Sequence, residues 1–289
     1  TESLEAVMNY LRKNDKAALA TAKKAAECFE QYGFEGENYA RSTYLVPVSC
    51  ENEVNNLLRE IRRKIATYNT DHETVFSTEQ NAITAVNAEN YYRAMVRGGA
   101  PSWNIRDKHM TETLNRLMKY HGPHAKAIVW AHNTHIGDAR ATDMANEGMI
   151  NIGEIVSKEH HVEGVVKIGF GSWKGNVIAG HEWDDQVQKL KMPEGAKGSW
   201  EDILHTCGPE NKLLLLNKWK KDILFNQPIG HRAVGVVYNP AFEQFGNYVP
   251  SILPHRYDAF LFFNETQALH PLHIEPDGNQ IPETYPFGV

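Results

Sequence analysis

Apolar positions in the first third of the chain recur every three and four residues. Leu4, Val7, Met8 and Leu11 fall on one helical face. Ala22, Ala25, Ala26 and Phe29 repeat the pattern after Asn14-Asp15, which reads as a cap or break. Gly33 and Gly36 bracket a turn. A second helical stretch, expected from about residue 50 to 68, carries Val54, Leu57, Leu58, Ile61 and Ile65 as its stripe. Its other face holds Arg59, Arg62, Arg63 and Lys64, and reads as solvated surface rather than an anion patch. A third helix is expected to open at Ser77, which makes a capping box with Gln80, and to end at Gly98-Gly99. Pro101 then enforces a loop, and a fourth helix follows Asn104 to about Tyr120. Helices without a strand predict a bundle-like α-helical subdomain over residues 1–122.

After Gly122-Pro123 the pattern changes. Short β-branched runs at 127–130, 165–170, 176–179, 212–216, 233–238 and 259–263 read as strands. Helices are expected near 149–158 and 200–206, the latter capped by Ser199 with Asp202 three residues on. The fold class expected is therefore α/β. A mixed sheet with helices occupies residues 123–289, beside the α-helical subdomain at the amino end. Residues 180–197 read as a long polar surface loop, and 270–289 as irregular, proline-bearing chain.

Composition adds limits. An apolar content of 42% and a charged content of 23% are those of an ordinary globular protein. A net charge of -6 argues against a nucleic-acid partner. No apolar run approaches the roughly 18–20 residues that span a bilayer, so no membrane role is expected. Cys28, Cys50 and Cys207 are widely scattered, which fits reduced thiols and a cytoplasmic location. The chain opens at Thr1 in sequence that is already helix-like. We expect it to be the carboxyl-terminal portion of a larger protein, with a missing amino-terminal part as its partner.

The densest chemistry lies at residues 127–138, AIVWAHNTHIGD. A buried strand is expected to end at His132-Asn133-Thr134-His135, with Gly137 and Asp138 just beyond. In open α/β sheets the crevice past such strand ends binds ligands. Three chemistries suit the two imidazoles: acid–base catalysis on water or an ester, metal ligation, and stabilisation of an oxyanion. Solvent-facing loop histidines are the plain alternative. Arg106 and Asp107 open the fourth helix in this reading, as a carboxylate- or phosphate-binding pair or as simple dipole complements. His160-His161 is better explained by dipole complementarity. Gly180-His181-Glu182 is a weak candidate pair, and His205, His231 and His255 have no distinctive neighbours. No Gly-x-Ser-x-Gly elbow and no phosphate-binding glycine loop is present, which disfavours an ordinary serine esterase.

Asn104-Ile105-Arg106-Asp107-Lys108-His109-Met110, followed by Trp130-Ala131-His132-Asn133-Thr134-His135-Ile136-Gly137-Asp138, resembles the erythromycin esterase family. Tyr257-Asp258-Ala259 and Thr284-Tyr285-Pro286-Phe287-Gly288 resemble that family's carboxyl end. The resemblance implies an α/β fold with a helical subdomain, and lactone hydrolysis in the antibiotic-resistance members. It implies His132 and His135 as catalytic residues, with Arg106, Asp107, Asn133 and Asp138 supporting or binding substrate. It implies a small-molecule ester or lactone substrate, no bound metal and no organic cofactor. The family's amino-terminal Gly-Glu-x-x-His-Gly-like segment, with its general base, is not found here. The alternatives are a metal-dependent hydrolase of the same superfamily and a catalytically inactive relative that binds a small molecule or a partner.

Overall fold

The structure, a computed structural model, describes residues 2–33, 36–46, 49–182 and 186–269. The expected irregular tail at 270–289 and part of the expected 180–197 loop lie outside these residues. Two compact units meet in the sequence between Lys126 and Ala127. The fold is α/β, with a helical unit first and a mixed sheet after it.

Six α-helices make up most of the first unit among the described residues: α1 (Glu2–Asn14), α2 (Lys16–Glu30), α3 (Gly36–Leu45), α4 (Glu51–Lys64), α5 (His72–Met95) and α6 (Ala100–His121). The predicted stripes meet in one core, where Val7, Leu11, Ala18, Ala22, Val54, Leu57 and Ile61 are fully buried. Asp15 does cap α2, accepting from the amides of Ala17 and Ala18. It also pairs with Lys64 at 2.9 Å, tying the α1–α2 corner to the end of α4.

Three local expectations fail for identifiable reasons. Helix α3 has no broad apolar stripe and buries only Tyr39 and Ala40, so periodicity does not show it. Helix α5 opens five residues before Ser77, because Asp71 takes the Thr74 amide at 2.8 Å. Pro101 begins α6 rather than preventing it: Gly99 turns the chain at a φ of 75° and proline fits the first turn, where its missing N–H costs nothing. Arg106 and Asp107 therefore lie inside α6, not at its tip. The thiols also depart from expectation. Helix α3 folds the chain back so that Cys28 at the end of α2 meets Cys50 at the start of α4, and the two form a disulfide with their Cα atoms 5.8 Å apart. Reduced thiols were the basis for expecting a cytoplasmic location, and that basis is lost. No helix among the described residues is long and apolar enough to cross a membrane.

The second unit holds α7 (Asn133–Ile136), α8 (Ile152–Glu159), β1 (Ile168–Ala179), β2 (Gln188–Met192), α9 (Trp200–Thr206), β3 (Lys212–Leu215), β4 (Ile229–Arg232), α10 (Glu243–Gly246), β5 (Tyr248–Ser251), α11 (Leu253–Arg256) and β6 (Ala259–Thr266). Four strands form one sheet in the order β2-β1-β6-β3. Strands β1 and β6 run parallel, and the outer pairs are antiparallel. Strands β4 and β5 form a separate antiparallel pair. The run at 176–179 and the end of the run at 165–170, from Ile168 on, belong to one long strand, β1. Residues 233–238 make only a single bridge, from Val237 to Gly180, just past β4.

One face of the sheet is covered. Trp173, Leu214, Phe260 and Phe262 pack there against Trp200, Leu204, Leu253 and Tyr257. The register places Ile168, Phe170, Leu213, Leu215, Leu261 and Phe263 on the other face. There Leu213 and Leu215 are 65% and 64% exposed. The most consequential failure is at 127–130, expected as a buried strand. This run joins no strand or helix, with Ile128 94% and Trp130 84% exposed. Its apolar pattern is sound, but the neighbouring flank of β1 is already satisfied: the Asn133 side chain takes both backbone groups of Phe170. Trp130 reaches that flank only through its ring, set edge-on to Phe170 at 5.6 Å.

Asn151, the N-cap of α8, fixes the segment at 134–139. Its Oδ1 accepts from the Glu154 amide at 2.9 Å and the Ala139 amide at 3.3 Å. Its Nδ2 donates to the carbonyls of Thr134 at 2.6 Å and Gly137 at 2.5 Å. The whole hydrogen-bonding capacity of a buried amide is thus used, one bond on its own helix and three on residues 134–139. Asn151→Ala should lower the free energy of unfolding by about 2 kcal/mol or more, read from urea denaturation, since it removes a cap and strands buried groups. Thiol labelling should find one reactive cysteine, Cys207, before reduction and three after it. Reduction should cost about 3 kcal/mol in the loop-entropy picture, and Cys28→Ser/Cys50→Ser should reproduce that loss without reductant.

Candidate functional site

Helix α7 is a single turn, and His132 is its N-cap. The His132 Nδ1 accepts from the Thr134 amide at 3.3 Å and lies 2.9 Å from the Thr134 hydroxyl. Its Nε2 lies 2.9 Å from the Val234 carbonyl, which can only accept. The partners therefore assign the neutral tautomer with the proton on Nε2. Burial of the inner side of the ring pushes its pKa down to about 4 against the pull of the Val234 carbonyl, and the Arg256 guanidinium adds positive charge in the downward direction. The outer edge of the ring meets solvent, which screens part of that effect. His135 lies one turn on, half-buried, near enough to oppose protonation of His132. The two imidazoles are thus brought together, on one short turn.

Asn133 locks that turn to the sheet. Its Oδ1 accepts from the Phe170 amide at 3.1 Å, and its Nδ2 donates to the Phe170 carbonyl at 2.6 Å. The Arg256 guanidinium, fully buried, reaches the Asn133 carbonyl at 3.4 Å and the Ser251 hydroxyl at 2.6 Å. Gly153 lets α8 close on the same turn: a Cβ there would stand 2.3 Å from the Ile136 carbonyl oxygen. Asp138 is buried just after the turn. It caps the short helix Ala139–Ala141 and holds Arg140 through both carboxylate oxygens, at 2.9 and 2.7 Å. These bonds give Asp138 a structural part in the loop.

Arg106 and Asp107 belong to the helical unit, the histidines to the other. Within α6 the Arg106 guanidinium sits 5.0 Å above the Trp103 ring, and burial holds its pKa below the usual arginine value. Asp107 is fully buried. The His161 Nδ1 lies 3.0 Å from the Lys158 carbonyl at the end of α8.

Sequence reasoning missed the residues behind the turn. His231 on β4 and Glu201 on α9 are both buried, with Nδ1 and Oε1 2.7 Å apart. The Arg232 amide donates to the same carboxylate oxygen at 3.1 Å. Burial alone would raise the Glu201 carboxyl, but His231 and Arg232 bring it below the usual range. Burial pushes the His231 pKa down against the pull of Glu201, and Arg256 and Arg232 reinforce the fall. The two groups form a buried carboxylate–imidazole contact. The two are thirty residues apart in sequence, so no local spacing announces them. Among the described residues, no group of three histidine, cysteine, aspartate or glutamate side chains is placed to hold a metal ion.

Comparison with solved structures places this architecture. A Bacillus cereus protein of known structure superposes with a TM-score of 0.72 at 12% identity, over 92% of this chain and 64% of its own. A succinoglycan biosynthesis protein gives 0.69 at 14% identity, over 92% and 62%. A histidine-to-asparagine mutant of the erythromycin esterase EreC, in its open conformation, gives 0.64 at 13% identity, over 91% and 65%. At these identities the likeness is one of fold, and the chain spans less than two thirds of each relative. The sequence itself matches the erythromycin esterase family over residues 1–266, helical unit and sheet together. The chain therefore belongs to the erythromycin esterase family.

Proposed function

We propose that this chain is the larger part of a hydrolase that cleaves a small-molecule ester or lactone, with His132 and His135 acting at the substrate's carbonyl oxygen. The observation that carries this reading is the tautomer of His132. An imidazole whose Nδ1 lone pair caps a helix is an N–H donor rather than a base. In the fold that N–H is held by the Val234 carbonyl at 2.9 Å, and it serves a developing oxyanion by exchanging that carbonyl for the substrate oxygen. Asn133 and Asp138 serve by holding the turn in place. Arg106 and Asp107 are assigned a supporting role on the family resemblance of their motif.

The base that activates water then has to come from elsewhere. We assign it to polypeptide matching the length of the relatives that this chain does not span. Two features support that assignment. Parallel strands are ordinarily covered on both faces, yet on one face of the sheet Ile168 of β1 and Leu213 and Leu215 of β3 are exposed. The run at 127–130 also has exposed apolar side chains and no ladder.

Hydrolysis of nitrophenyl esters and of a macrolide lactone should be slow with the 289-residue chain and much faster with the full product of its gene. Equal rates would refute the divided site. In the active form His132→Ala should lower kcat by about 10²–10³-fold, the loss typical of a missing oxyanion donor. Unchanged kcat would remove His132 from the mechanism.

The same tautomer sets a pH dependence. In the unfolded chain a histidine titrates near 6.5. In the fold His132 titrates at about 4, so the unfolded state binds the proton first. Its contribution to stability is complete above pH 6.5 and is lost as pH falls towards 4. The urea midpoint should decline across that window, and His132→Asn, which caps without titrating, should flatten part of the decline.

A further inference from the structure

We infer that Glu201 and His231 are positioning residues for the histidine turn: Glu201 fixes the tautomer of His231, and His231 fixes the amide of Asn133. The inference rests on the hydrolase reading for its functional meaning, but its geometry stands alone. It starts from Asn133, whose orientation the Phe170 backbone dictates. A carbonyl on one side and an amide on the other leave only one way round. The Asn133 Nδ2 therefore faces the His231 Nε2, at 3.4 Å. A nitrogen facing an N–H group has to accept, so Nε2 is bare and the His231 proton is on Nδ1. That proton points at the Glu201 Oε1, 2.7 Å away. Each link requires the next, and the order ends at a carboxylate.

The carboxylate is expensive where it stands. Glu201 is 1% exposed, and its Oε2 has no hydrogen-bond partner among the described residues. A buried acceptor left half-satisfied costs stability, and an apolar pair would pack without that cost. The groups that face His231 are Glu201 from α9, Arg232 from β4, Arg256 and Tyr257 from the α11 segment, and His132 and Asn133 from the turn. Most of the charged ones are cationic. A neutral ring with a fixed proton is the form this surrounding favours. Outer partners of this kind orient the groups that do the chemistry, and their removal typically costs about 10- to 100-fold.

The test uses the 289-residue chain with ¹⁵N-labelled histidine and asparagine. At pH 7 the His231 signals should be those of a protonated Nδ1 and an unprotonated Nε2. The Asn133 side-chain amide, identified by its loss in Asn133→Asp, should be shifted downfield and protected from exchange. Glu201→Gln retains an acceptor and should preserve both signatures. Glu201→Ala should mix the tautomers and move the Asn133 amide signal. In whichever form hydrolyses ester, His231→Ala, Glu201→Ala and the double variant should lower kcat by the same 10- to 100-fold with KM little changed, and Glu201→Gln should recover most of it. A His231 proton on Nε2, or an Asn133 amide indifferent to Glu201→Ala, overturns the inference whether or not esters are cleaved. Losses confined to KM, or additive in the double variant, overturn its functional half. Absence of hydrolysis in every form instead overturns the proposed reaction, while the tautomer result still decides the positioning chain.

Discussion

The second unit depends on a side-chain amide that behaves as a piece of backbone. Asn133 gives Phe170 the two hydrogen bonds that a neighbouring strand would have given it. The one-turn helix α7 has no length from which to draw its own stability, since a helix of four residues cannot repay its nucleation. It persists because each of its ends is held from outside. Asn133 holds it to the sheet, Asn151 takes two carbonyls from its far side, and Arg256 lies beneath. The two imidazoles inherit their placement from these bonds rather than from the turn itself.

The surrounding polar interior follows from the same arrangement. Arg232 is buried with all its neighbours in place, giving hydrogen bonds to Glu243 and to the carbonyls of Ser172, Trp173 and Pro193. Tyr238 and Tyr248 complete the carboxylate of Glu243. A buried ion pair of this quality contributes little net stability, because desolvation offsets most of its attraction. What it supplies is definition. Strands β1 and β4 are joined by a planar, multiply bonded group that admits one geometry. Beside it, Glu201 and His231 do the same for the histidine turn.

The sequence was informative where periodicity and caps act alone. The stripe of α4, the Asp15 cap of α2 and the Ser199 cap of α9 all form as their local pattern requires. It misled where a local rule met a competitor. Asp71 outbids Ser77 as a helix start, and Pro101 opens a helix that it was expected to forbid. The strand expected at 127–130 has the right residues, but a strand is a property of its neighbour as much as of itself. The motif His132-Asn133-Thr134-His135 was legible as chemistry, with Asn133 as a supporting residue, but the partners of Asn133 were not. Nothing in the spelling of Asn133 says that it would pair with Phe170, nor that Glu201 and His231 would meet behind it, because each partner comes from a distant segment.

The flank of β1 has one more consequence, for how the molecule behaves in a crowd. A strand edge with idle amides invites other chains to add themselves, and proteins ordinarily blunt such edges with charge, proline or bulges. Here the blunting is done by borrowed side chains. The Phe170 backbone is taken by Asn133 and the Ser172 carbonyl by Arg232. A foreign strand arriving beside these residues would find its docking groups already engaged, so the same bonds that orient the histidines also guard against unwanted self-association.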